Sequence, residues 1–184
     1  MSFIAVAAVL YAADQVTKHV AVAQLSREPD VRVVGELLQL HLTYNPGAAF
    51  SVGTSLTVGL TCLAIVAVVV VLWMSRRLGS RIWAAAFGFL LAGITGNLTD
   101  RILRDPAPFR GHVVDFLMLP NWPVFNVADI CINVGVALIL LQVLRGVAID
   151  GSRHAPAAKP SKPTVPAEPG DSTRPATPTG ETGE

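Results

Sequence analysis

Two aspartates stand out: Asp115 in the apolar run Val113-Val114-Asp115-Phe116, and Asp129 just inside a long apolar stretch that begins at Val124. A lone carboxylate at membrane depth is expensive, so each needs a partner or a chemical task. Two carboxyl groups sharing one proton supply both halves of an acid–base pair. One activates water and the other protonates the leaving nitrogen of a peptide bond, while mutual repulsion keeps them from ionising together. The pair therefore points to peptide hydrolysis at the edge of a bilayer; the residues alone leave open which acid is the base. Asn45, Asn97 and Asn126 are candidate donors to an oxyanion or to substrate backbone, because neutral amides add hydrogen bonds without adding charge. Other hydrolytic routes lack their residues. No H-E-x-x-H or G-x-S-x-G occurs, and His19, His41, His112 and His154 are scattered, so no metal site is expected.

Composition says what must hold these residues. The chain has 184 residues, of which 52% are hydrophobic and 15% charged, which is a membrane profile. A net charge of +1 with no basic stripe leaves no footprint for nucleic acid. Four spans are expected, Phe3 to Val22, Thr54 to Met74, Ile82 to Leu98 and Val124 to Leu144, each near the roughly 20 residues a bilayer requires. The expected fold class is thus membrane all-α, a four-helix transmembrane bundle with a small extracytoplasmic β-sheet and a periplasmic loop. The sheet is placed at about 26–51, where Val31, Val33, Leu38, Leu40 and Leu42 nearly alternate, and His112 to Leu119 reads as extended. No Lys or Arg precedes the first apolar run, so a retained helix is expected there and not a cleaved leader. Arg76, Arg77 and Arg81 mark a cytoplasmic loop, which places both chain ends in the cytoplasm and residues 26–51 and 105–123 outside. Residues 1–147 then form the membrane domain, and 148–184 a disordered, Pro-rich cytoplasmic tail. Cys62 and Cys131 lie in apolar runs and read as buried thiols.

The remaining polar residues fall at helical spacings. Asp14 and Lys18, four apart, can pair, either to neutralise each other or to meet substrate. Asn97, Asp100 and Arg101 converge on one side at the outer end of the third span. Asn126, Asp129 and Asn133 form one polar stripe that must face the bundle interior or a wet cavity. Asn45-Pro46-Gly47-Ala48-Ala49-Phe50 is turn chemistry with small residues that allow close approach. Two other classes compete with a peptidase. A proton-coupled carrier would use Asp14, Lys18, Asp100, Arg101 and Asp129 as a relay, but needs polar groups at all depths, whereas these gather at the outer ends. A membrane scaffold gripping signal helices would tolerate loss of either aspartate.

An Asp-x-x-x-Lys in the first span followed by NPGAAF, GNLTDR, VVDF and FNVAD, in this order, resembles the bacterial lipoprotein signal peptidase family, signal peptidase II. The likeness runs from about Asp14 to Asn133; the stretch 104–110 is longer than the family's usual link, and the tail lies outside it. It implies a cofactor-free aspartyl endopeptidase of the bacterial inner membrane, working as a monomer near the outer face. Its substrates would be prolipoproteins, cut just before the diacylglyceryl-modified cysteine. The resemblance makes Asp115 and Asp129 the catalytic pair. It places Asp14, Lys18, Asn45, Gly47 and Asn97 among the substrate-facing positions, together with Asp100, Arg101, Asn126 and Ala128. Membrane lipid and globomycin-type inhibitors are the other partners it implies.

Overall fold

The computed structural model describes residues 3–27, 30–47 and 57–153. Ala48, Ala49, Phe50 and the Pro-rich tail from His154 onward lie outside these residues. Seven elements follow in order: α1 (Phe3–Leu25), β1 (Val31–Val34), β2 (Leu38–Asn45), α2 (Thr57–Ser75), α3 (Arg81–Leu103), β3 (Val113–Met118) and α4 (Val127–Leu144).

The expectation of four spans meets a difference at α1. Among the described residues three helices, α2, α3 and α4, are long and apolar enough to cross a membrane. Helix α1 has the length, at 23 residues, but carries the buried Asp14 and Lys18 on its inward side. The third and fourth helices also shift from their expected bounds. Helix α3 runs on to Leu103, so Asp100 and Arg101 sit in its last turn and not beyond it. Helix α4 starts at Val127 because Asn126 caps it: the Asn126 side chain accepts from Asp129 N, and the Asp129 carboxylate accepts from Asn126 N.

Helix α3 touches α1, α2 and α4, whereas α2 and α4 do not meet. Small residues allow this. A Cβ on Gly93 would lie 2.4 Å from Ala128 O and 2.9 Å from Ile132 N on α4. A Cβ on Gly135 would lie 2.9 Å from Leu90 N on α3. Backbones that approach this closely substitute for a hydrophobic drive that lipid does not provide.

The three strands form an antiparallel sheet in the order β1-β2-β3. The sequence placed a sheet within 26–51; its third strand comes from 113–118, some 70 residues later. Val114 and Phe116 point one way and pack on Ala21, Val22 and Leu25 at the end of α1. By alternation Asp115 points to the opposite face. A second apolar cluster, built on Val71, Trp83 and Phe87, closes the other end of the helices and includes Val147 and Ile149. The packed chain thus extends past the expected boundary at 147: Val147 bridges to Arg153, and Gly79 N donates to Ile149 O at 3.0 Å. Cys131 is buried as expected, but Cys62 is exposed, because α2 turns that side to its surroundings.

Gly93→Ala is expected to push α4 off α3 and cost about 1–3 kcal/mol, the usual range for an overpacked contact. Thermal unfolding in detergent measures it, with Gly59→Ala, where a Cβ meets nothing within 4 Å, as the neutral comparison.

Candidate active site

Strand β3 and the first turn of α4 bring the two aspartates together through amides. In the β2–β3 ladder Thr43 faces Asp115 and Asn45 faces Val113, so Asn45 is the diagonal neighbour of Asp115 on the same face. Asn45 Nδ2 donates to Asp115 Oδ2 at 3.0 Å, and Asn126 Nδ2 donates to Asp115 Oδ1 at 2.6 Å. Asp129 Oδ1 accepts from Asn97 Nδ2 at 2.8 Å and Asp129 Oδ2 from Asn126 N at 3.1 Å. Asn126 Nδ2 also donates to Asn97 Oδ1 at 3.1 Å, which completes the link between the two carboxyl groups.

Behind the amides lies a fully buried cation. Lys18 Nζ meets Asp14 Oδ2 at 3.0 Å, Asp100 Oδ2 at 2.8 Å and Asn97 Oδ1 at 3.0 Å. An ammonium has three donors, and all three are used. Its partners reach onward. Asp14 Oδ1 accepts Ala128 N at 2.8 Å, the amide just before Asp129. Asp100 Oδ2 accepts Val114 N at 3.3 Å, the amide just before Asp115.

Burial pushes the Asp115 carboxyl up to about 6, the Asn45 hydrogen bond pulls against this, and the neighbouring Asp129 charge adds to the rise. Asp115 is 2% exposed, so its charged form loses most of its hydration.

The structure sorts the residues singled out in the sequence. Asp14, Lys18, Asp100, Asn126 and Ala128 are buried, each 0–1% exposed, and hold the pair from behind. The Asn126 amide, expected as an oxyanion donor, has both N–H groups committed to Asp115 and Asn97. Arg101 has an unused buried donor: its Nη1 has no hydrogen-bond partner among the described residues. Gly47 lies beside it, at φ +141°, and a Cβ there would be 3.6 Å from that nitrogen. Gly47 N closes the turn by donating to Asn45 Oδ1 at 3.0 Å. Asn133, expected to face inward with Asn126 and Asp129, is exposed; Asn126 is a cap outside the helix, so the three do not form one stripe. Two supporting residues escaped the sequence reading. Arg104 Nε pairs with Asp100 Oδ1 at 2.6 Å, a spacing of four that the chain displays openly. Gln15 Nε2 donates to Asp14 Oδ2 at 3.0 Å and carries no comparable signal.

Three apolar helices and a small sheet around a buried acid cluster make a membrane enzyme fold. A solved structure described as a bacterial membrane enzyme, determined by the in meso method at 1.9 Å resolution, shares it with a TM-score of 0.69 and 26% identity, covering 78% of this chain and 92% of that one. The sequence narrows the class. Residues 6–145 match the family model described as signal peptidase (SPase) II. The lipoprotein signal peptidase of Leifsonia xyli subsp. xyli is 45% identical over 80% of this chain and 69% of its own length. That of Mycobacterium tuberculosis strain H37Rv is 46% identical over 83% of this chain and 76% of its own. The chain belongs to the signal peptidase II family and is a membrane-embedded protease.

Lys18→Met is expected to leave Asp14 and Asp100 buried without a shared counter-charge, at a cost of about 3–5 kcal/mol. Unfolding temperatures in detergent test this, and adding Asp14→Asn with Asp100→Asn is expected to recover part of the loss.

Proposed function

We propose that the protein is an aspartic endopeptidase that removes signal peptides from prolipoproteins, cutting just before the diacylglyceryl-modified cysteine. The observation that carries this reading is the joining of Asp115 and Asp129 through Asn126 and Asn97. Peptide hydrolysis needs an activated water, a proton for the leaving nitrogen and stabilisation of the oxyanion. The pair supplies the first two when it holds one proton. Asp115 is the member whose surroundings favour the protonated form, so it delivers the proton, and Asp129 draws one from the water. The unused Arg101 Nη1 is the donor left for the carbonyl oxygen of substrate in this scheme.

Asp14, Lys18 and Asp100 act as positioning residues in this scheme, because they are buried and spend their polar atoms on one another and on the amides of Ala128 and Val114. A membrane-bound substrate fits the layout. Its signal helix and acyl chains remain in lipid while the scissile bond meets the acids at the bilayer edge. Helix α1 is a fourth span, the Arg76 to Arg81 loop faces the cytoplasm, and the acids face outward with both chain ends inside. A relay for a carrier finds no support: α2 holds no charged residue, and the buried charged groups gather in one half of the helices.

Asp115→Asn or Asp129→Asn is expected to lower the cleavage rate at least about a thousandfold while the protein stays folded. Normal processing by both variants, with a diacylglyceryl-bearing prolipoprotein in liposomes, would sink the proposal. The pH profile gives a second measure. Above about 6 Asp115 loses the proton it would deliver, and kcat/KM of the free enzyme falls as pH rises. Asn45→Ala removes a donor that favours the charged form, so that limb is expected to move to higher pH.

A further inference from the structure

Helix α4 has a buried side and an open side. Ala128, Cys131, Gly135 and Gln142 are turned into the bundle. Ile130, Val136 and Leu140 are exposed on the opposite side, at 42%, 43% and 56%. Asn133 lies three residues from both Ile130 and Val136, so it sits in the middle of that open stripe, and it too is exposed. Its Nδ2 donates to Asp129 O at 2.9 Å. The second N–H and Oδ1 have no partner among the described residues.

A side-chain amide in the centre of a lipid-facing stripe is costly unless something hydrogen-bonds to it. Asn133 lies one turn, about 6 Å, from Asp129 along the helix. The stripe is therefore continuous with the candidate acid pair at its outer end. Because α2 and α4 do not meet, no element of the described chain covers it from that side.

We infer that Asn133 is a substrate-contacting residue: the open stripe of α4 receives the signal helix, and the Asn133 amide hydrogen-bonds it about one turn before the scissile bond. This rests on the prolipoprotein reading above. The chemistry matches, because a helix just short of its cut end has backbone carbonyls or small polar side chains to offer, and interhelical amide bonds of this kind hold in lipid. A signal helix running outward lies antiparallel to α4, which brings its end to Asp129 when its preceding turn is beside Asn133.

The test uses the full chain in liposomes with two diacylglyceryl-cysteine substrates, one with its complete signal helix and one truncated and capped shortly before the modified cysteine. Asn133→Leu is expected to raise KM for the complete substrate about 3- to 10-fold, the worth of one such bond. The rate at saturation, the pH profile and the unfolding temperature stay as in the unaltered protein, and both proteins cleave the truncated substrate alike. An unchanged KM overturns the inference. So does an equal loss on the truncated substrate, which would make Asn133 a positioning residue acting through the Asp129 carbonyl. A change in oligomeric state without a change in KM also overturns it, since the stripe would then pack on a second copy. Failure of the underlying function is separate: it appears as undiminished cleavage by Asp115→Asn.

Discussion

The arrangement of this site depends on the Lys18 ammonium. It is 0% exposed, and its three donors meet three acceptors on α1 and α3. Burying a charge is tolerable only when pairing is complete, so each acceptor is held to a narrow position. Each one then fixes something further. Asp14 holds the amide before Asp129, Asp100 holds the amide before Asp115, and Asn97 is oriented so that its nitrogen points at Asp129. One cation thereby sets the placement of both acids, although it touches neither.

The start of α4 makes a second economy. Asn126 caps the helix with its oxygen and holds Asp115 with its nitrogen. Asp129 caps in return, through an oxygen on the same carboxylate that Asn97 addresses. The helix start and the acid pair are thus one hydrogen-bonded unit. The local geometry of Asp129 follows from forming α4 at all, which is why an acid can be held at a membrane helix end without a flexible approach.

Much of this could be read from the chain. The two aspartates, the three amides and the Asp14–Lys18 pair were legible because unusual polar residues in apolar runs have few explanations, and because a spacing of four stacks side chains on a helix. The apolar helices were legible from length and composition. What was not legible follows from long-range pairing. Nothing in the local pattern of 113–118 says that it joins β2, and only that ladder brings Asn45 diagonal to Asp115. The second partner of Lys18, Asp100, is also invisible along the sequence, since 82 positions separate them and only the α1–α3 contact brings them together. Periodicity misled at Asn133, because it treated Asn126 as helical when that residue is the cap.

Charge balance favours one added proton in such a cluster. Four carboxyl groups, Asp14, Asp100, Asp115 and Asp129, stand beside three cations, Lys18, Arg101 and Arg104. With all of them ionised the cluster carries one excess negative charge, and poorly hydrated surroundings penalise that strongly. A single proton restores neutrality. Lys18 and Arg104 pair directly with Asp14 and Asp100, whereas Asp115 has no ion pair among the described residues. Asp115, on β3, is buried whereas Asp129, on α4, is half-buried, and burial is the main reason the Asp115 carboxyl is pushed up to about 6. The same count therefore makes a structural demand, a neutral buried cluster, coincide with the single proton that the proposed hydrolysis requires.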